Sequence, residues 1–354
     1  MTKDAKLNAR QARILEFIRS KKQAGNQEIV EFFKQSGETV SRYTIIRNIG
    51  SLFADGVVEK IGRGRSVVYR EKETSDLLRF IDLNTYFAKG PDERSVRYPR
   101  FDGSVFSQFT QLFSQKELEK LTDSNATYRE HMEKLSDSIR KKEFERLTVE
   151  FSWKSSHIEG NTYTLLDTER LLEDHEEAVG HSHEEAVMII NHKRALDYIS
   201  GNKEKFVTPQ LNDVLDIHTL VVAGMSVNTG IRKSPVGIIG TTYRPLDNEY
   251  QIRESLEKAT TTIRGLQNPF SQALATILAV SYIQPFEDGN KRTARLLGNA
   301  ILLAQDVCPL SFRSVDEGDY KKATIMFYEQ HNARFFKELF IKQFEFAVEH
   351  YFLA

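Results

Sequence analysis

The densest chemistry in this chain lies in Gln284-Pro285-Phe286-Glu287-Asp288-Gly289-Asn290-Lys291-Arg292-Thr293-Ala294-Arg295. Pro285 pushes the residue before it out of the α region, so a preceding helix is expected to stop there. Gly289 permits a tight turn, with a second helix starting near Asn290. Unpaired N–H groups at a helix start, with the positive end of its dipole, attract anions. Arg292 and Arg295 are three apart and project from one face beside that start. Asp288 offers a hard oxygen able to share a Mg²⁺ with bound phosphates. Turn, amides, carboxylate and two guanidinium groups describe a site for a nucleotide tail. Spacing alone also allows a glycine-containing turn between helices with a solvated basic face.

The surrounding elements are those such a loop needs. Amphipathic helical spacing marks 117–149, 186–199, 209–223, 270–283, 292–305 and 319–350, the first and last broken into shorter pieces. Within this helical region the 232–245 stretch is short, β-branched and bounded by Gly and Pro, and reads as a small hairpin. The chain has 354 residues, of which 40% are hydrophobic and 28% charged, as in a globular protein of two or three domains. No apolar run approaches the roughly 20 residues of a membrane span, and the charged N-terminus lacks a signal-peptide core. A single cysteine, Cys308, precludes an internal disulfide. These features lead us to expect a cytoplasmic protein with no membrane contact.

The loop closely resembles the signature of the Fic family, H-P-F-x-[DE]-G-N-x-R-x-x-R. Pro285, Phe286, Asp288, Gly289, Asn290, Arg292 and Arg295 match, and Gln284 stands in place of the histidine. The resemblance extends to Val236-Gly237-Ile238-Ile239-Gly240, similar to the family's target-docking flap, and to Leu215-Asp216-Ile217-His218. It also includes Ser155-Ser156-His157-Ile158-Glu159-Gly160, similar to the inhibitory motif [ST]-x-x-x-E-[GN]. It implies a Fic-type helical bundle with a β-hairpin flap, ATP and Mg²⁺ as ligands, and transfer of AMP to a hydroxyl of a target protein. Asp288 would ligate the metal, Asn290 and the Gly289-side amides would hold the α-phosphate region, and Arg292 and Arg295 the outer phosphates. The target would lie on Val236–Gly240 by strand addition. Ser155, Glu159 and Gly160 would form the brake: a carboxylate paired bidentately with Arg295 removes the cation that would hold the γ-phosphate. The bland alternative makes Glu159 a helix-end surface residue with Gly160 as its C-cap.

Gln284 is the departure. A carboxamide has no useful basicity, so it cannot accept the proton of an attacking hydroxyl as the family's histidine does. Three accounts are compatible: a non-catalytic or slow variant, another base (Glu159, His218 or His157), or a substitution that traps a complex.

Residues 1–70 hold 14 Lys/Arg and 7 Asp/Glu, a balance of +7 that leaves −8 for the rest of a chain whose net charge is −1. A basic end on an acidic protein points to a polyanion partner for that end. Helical patterns at 9–20 and 26–35, and a third after the N-cap Ser41, precede β-rich stretches at 57–61 and 66–69. Gly62-Arg63-Gly64-Arg65 separates those stretches, and the order is that of a winged helix-turn-helix. Its third helix is expected to offer Ser41, Arg42, Thr44, Arg47 and Asn48 to a major groove, with Arg63 and Arg65 on phosphates. Use of the module for protein contacts alone is the competing reading.

The expected architecture is therefore mainly α, with a winged-helix (α+β) domain at 1–72, a connector at 73–110 and a Fic-type helical domain at 111–350. The function expected is a self-inhibited, ATP-binding protein adenylyltransferase; the alternative is a non-catalytic, ATP-sensing, DNA-binding regulator. A homodimer is compatible with either. His175, His181 and His183 among acidic residues read as a loop rather than a metal site, and Cys308, Phe151 and Trp153 as packing residues.

Overall fold

A computed structural model describes residues 7–37, 40–72 and 75–353, without the side chain of Arg65. The chain divides into two compact units, Met1–Arg79 and Phe80–Ala354.

In the first unit, helices α1 (Ala9–Lys21), α2 (Asn26–Gln35) and α3 (Arg42–Ala54) accompany strands β1 (Ala24–Gly25), β2 (Val58–Ile61) and β3 (Val68–Glu71). The strands form an antiparallel sheet in the order β1-β3-β2. Ile14, Ile18, Ile29, Phe33, Ile45, Ile49 and Leu52 recur at helical spacing and meet in one core. Ser41 caps α3 by accepting from the Thr44 N–H. Asn48 is a correction to the expected outward face: it is buried, donates to Thr44 O at 2.8 Å and accepts from Asn8 Nδ2 at 3.3 Å. Thr44 is half-buried and shares a hydrogen bond with Ser41. The side chains that α3 exposes are Arg42, Tyr43, Ile46, Arg47, Phe53 and Ala54. Arg63 is exposed on the β2–β3 turn, and the side chain of Arg65 lies outside the described residues.

The second unit is helical: α4 (Leu83–Phe87), α5 (Gln115–Lys134), α6 (Asp137–Ile158), α7 (Leu165–Glu173), α8 (His183–Gly201) and α9 (Leu211–Val221) come first. α10 (Glu249–Arg264), α11 (Pro269–Ile283), α12 (Asn290–Ala304), α13 (Glu317–Gln330) and α14 (Arg334–His350) follow. α11 is apolar all round and buried along its length, so it forms the axis of the unit. α12 packs on it closely: a Cβ on Gly298 would sit 2.8 Å from Ile277, which explains the glycine there. Residues 80–101 pack onto this body, the N–H groups of Arg97 and Tyr98 both reaching Glu329 O at 3.0 Å. Among the described residues no helix is long and apolar enough to cross a membrane.

The 232–245 segment is not the hairpin expected. It has no strand through Pro235–Ile238 and turns at Ile239–Gly240, and its one bridge pairs Arg244 with Arg100. Side chains anchor it instead. Arg232 is buried and donates to Gln284 O at 2.7 Å and Ser234 O at 2.7 Å, while its N–H reaches Pro285 O at 3.0 Å. At the far end, Arg94 donates to Gly240 O, and the fully buried Glu329 accepts from Arg94 at 2.8 Å, Thr241 at 2.6 Å and Tyr86 at 2.6 Å.

Candidate functional site

α11 ends where Pro285 requires, with Gln284 in the left-handed conformation at φ 52°. The chain then turns through Gly289, at φ 78°, into α12. A Cβ at Gly289 would lie 3.1 Å from Val221 and 3.3 Å from Val222, so both conformation and space select glycine. Neighbouring α10, α11 and α13 are capped by the side chains of Asn248, Asn268 and Asp316, but no side chain caps α12. Its first amides are left for a ligand.

A cavity of about 370 Å³ opens over this helix start. Its walls are Ile158 and Glu159 at the end of α6, Val236–Ile239, Gln284, Glu287–Arg292, and Lys321, Thr324, Ile325 and Tyr328 of α13. The predicted loop, brake and flap therefore converge on one space. Gly240 lies at the flap's turn and does not line it.

The two arginines differ in their partners. Arg295 is fully buried and donates to Ser155 Oγ at 2.9 Å and Ser155 O at 2.7 Å. Both of its terminal nitrogens reach the same oxygen, Glu159 Oε1, at 3.0 Å. The expected two-oxygen fork is corrected by Lys291, whose ammonium takes Glu159 Oε2 at 2.6 Å. The carboxylate thus bridges two cations. Burial raises its pKa, but Arg295 and Lys291 outweigh that and bring it down to about 2. Arg292 is also buried, and donates to Asp288 Oδ2 at 2.8 Å. Burial holds its pKa below the ordinary arginine value, with Asp288 and Glu159 opposing.

Asn290 is spent on the loop: its Oδ1 accepts from Phe286 N and its Nδ2 donates to Phe286 O, both at 2.9 Å. Its side chain shapes the turn, which leaves its backbone amide for a phosphate. Gly160 follows Glu159, its N–H bonded to His157 O at 2.9 Å. Gln284 Nε2 donates to Ser281 O at 2.7 Å and to the Tyr328 hydroxyl at 3.3 Å. Since a carbonyl only accepts, this fixes the amide orientation and leaves Oε1 as the free end of the side chain.

The substitute bases considered are each engaged by other groups. His218 stacks on Phe286 at 3.6 Å, bonds Asp288 O through Nε2 at 3.1 Å, and is pushed down to about 4, chiefly by burial. His157 bonds Asn161 O and Glu317 and does not line the cavity. Glu159 is a weak base while its pKa is held so low. Cys308 is buried, its thiol pushed up by that burial. Trp153 donates to Tyr163 O at 3.0 Å, and Phe151 is buried in the core. Lys291 and Tyr328 at the cavity wall, and Glu329 among the groups that anchor the flap, are the residues that sequence reasoning missed. Lys291 occupies an unspecified motif position, and the others declare themselves only through contacts distant in sequence.

Residues 208–302, which contain the loop, the flap and most of α12, match the Fic/DOC family model. This region is similar to Fic domains. Over 172 residues the chain is 30% identical to a protein adenylyltransferase Fic of Nematostella vectensis, covering 48% of this chain and 40% of that protein. Over 212 residues it is 28% identical to one of Aedes aegypti, covering 58% and 41%. The chain thus spans about two fifths of these relatives' length. Among solved structures, Fic-1 of C. elegans superposes with a TM-score of 0.54 at 21% identity, covering 66% of this chain and 70% of that one. A Fic family protein of Desulfovibrio desulfuricans does so at 0.54 and 19%, covering 67% and 74%. The fold around the cavity is the Fic helical fold.

Proposed function

We propose that the Fic domain binds ATP with Mg²⁺ and is built for transfer of AMP to a hydroxyl of a target protein, with Glu159 as its brake. One observation carries this reading: Glu159 bridges Arg295 and Lys291 at the wall of a cavity centred on an uncapped helix start. The α12 amides and Arg292 would take phosphate oxygens. Arg295 would join them once Glu159 leaves, because a phosphate and a carboxylate compete for the same guanidinium. Asp288 lines the cavity with its side chain 58% exposed, and no cluster of three metal-ligating side chains occurs among the described residues. One carboxylate with phosphate oxygens suits a Mg²⁺ that arrives with its nucleotide. A bound Mg²⁺ would neutralise phosphate charge, with Asp288 as its protein ligand.

In the transfer, the target hydroxyl oxygen forms a bond to the α-phosphorus, the bond to pyrophosphate breaks, and the hydroxyl proton needs an acceptor. Gln284 can accept a hydrogen bond through Oε1 but cannot take that proton. The chain as it stands is therefore a nucleotide binder with slow or absent transfer. The apolar Val236–Ile239 segment, with Ile239 exposed, would receive the target segment.

The second reading, an ATP-sensing regulator without catalysis, is favoured by Gln284 and by α3, which exposes Arg42, Arg47, Tyr43 and Ile46 on a basic unit. We infer a winged helix that places these side chains against DNA, with Arg63 on phosphate. Transfer of label from ATP marked at the α-phosphate separates the readings. Glu159→Gly alone should transfer little, and Glu159→Gly with Gln284→His should transfer about 10²–10⁴ faster. ATP binding with no transfer in the double variant would favour the sensor.

A further inference from the structure

The brake has a second fastening next to Glu159. His157, in the last turn of α6, presents both ring nitrogens to oxygens: Nδ1 to Asn161 O at 2.7 Å and Nε2 to Glu317 Oε1 at 3.0 Å. A backbone carbonyl only accepts, so Nδ1 carries a proton. A carboxylate also only accepts, so Nε2 is satisfied only when it too is protonated. The geometry points to a proton-operated latch in which imidazolium His157 ties the end of α6, and so Glu159, to Glu317 at the start of α13.

The placement makes the latch consequential. α13 is the cavity wall that carries Lys321, Thr324, Ile325 and Tyr328, and Glu159 follows His157 by two residues. Lys154, one turn earlier on α6, reaches the same Glu317 oxygen at 3.3 Å. Glu317 from α13 and Lys154 from its own helix are the charged groups recorded with His157; the Trp153 ring stacks on it at 5.7 Å. A cation in the last turn of a helix is favoured by the dipole, and Lys154 opposes it. Loss of the Nε2 proton leaves two acceptors facing each other, so one of the two ties between α6 and Glu317 goes. The sign follows from those two contacts: the brake is firmer at low pH, where both ring nitrogens carry protons, and looser at high pH, where Nε2 has none to give Glu317. Glu159, already ionised, takes no part in that window.

This inference rests on the proposed nucleotide site, and the test keeps the two apart. Calorimetry with a non-hydrolysable ATP analogue and Mg²⁺ is run at pH 6, 7 and 8 on the intact chain, Glu159→Gly, Glu317→Gln and His157→Gln. The γ-phosphate itself titrates nearby, so the readout is each chain's Kd divided by that of Glu159→Gly at the same pH. For the intact chain the ratio should fall about threefold from pH 6 to 8, the scale of a partly exposed ion pair. In Glu317→Gln and His157→Gln it should be flat. A flat ratio in the intact chain overturns the latch. No binding by Glu159→Gly at any pH would overturn the nucleotide reading instead. Hydrogen exchange then decides the latch: amides 157–161, corrected for intrinsic rates, should be better protected at pH 6 than 8 in the intact chain but not in Glu317→Gln. Equal protection in both chains would overturn it.

Discussion

Arg292 and Arg295 sit one turn apart on α12, both buried, yet only one is locked. Arg295 is held by residues distant in sequence: Ser155 gives it two acceptors and Glu159 a third. Arg292 is paired with Asp288, four residues away in its own loop, whose carboxylate is largely exposed. A fully buried cation with a carboxylate only 17% exposed is a structural element as well as a ligand-binding group, because removing one partner leaves the other short of countercharge. A cation paired with an exposed acid exchanges that partner for a phosphate at little cost. On the proposed reading, the contrast separates a guanidinium that a nucleotide would have to win from one ready to receive it.

Breaking the locked side should have the largest effect. Arg295→Ala leaves Glu159 with Lys291 alone, and should lower the unfolding free energy by about 3 kcal/mol in denaturant titrations. Arg292→Ala should cost about 1 kcal/mol of stability but weaken ATP binding by Glu159→Gly about tenfold or more, because a charge-assisted bond is lost. If the two alanine variants are equally destabilised, the contrast fails.

Acid sharpens the same comparison. The folded-state pKa of Glu159 is lowered to about 2, so its ion pairs stabilise the protein above the ordinary glutamate range and are lost as pH falls towards 2. The stability difference between the intact chain and Glu159→Gln should be on the order of 3 kcal/mol at pH 7 and shrink steadily below pH 5. Lys291→Met should give the smallest effect, an easing of the brake read as roughly threefold tighter ATP binding, since Lys291 is the more exposed of the two cations on Glu159.

The loop was legible because its signals are local: Pro285 stops α11, Gly289 turns the chain, and the arginines follow at helical spacing. Ser41 as the cap of α3 and α2 over 26–35 were legible for the same reason. α10 was missed although Ile252, Leu256, Ala259 and Ile263 keep a helical period, because Thr260-Thr261-Thr262 is a poor helix run. The flap misled because β-branched residues between Gly and Pro suggest paired strands, whereas Arg232 and Arg94 anchor it through carbonyls. Asn48 turned inward for a partner 40 residues away, Asn8. Lys291 carried no role in the sequence, and the fold brings Glu159 to it across 132 positions. Local turn and capping chemistry is written in order along the chain; pairings made by tertiary packing are not.

The most direct test is calorimetric titration of Mg·ATP into the intact chain and into Glu159→Gly under identical conditions. Competition between Glu159 and the outer phosphate for Arg295 predicts that the variant binds about tenfold more tightly, the equivalent of one charge-assisted hydrogen bond. Equal affinities in the two chains would contradict it.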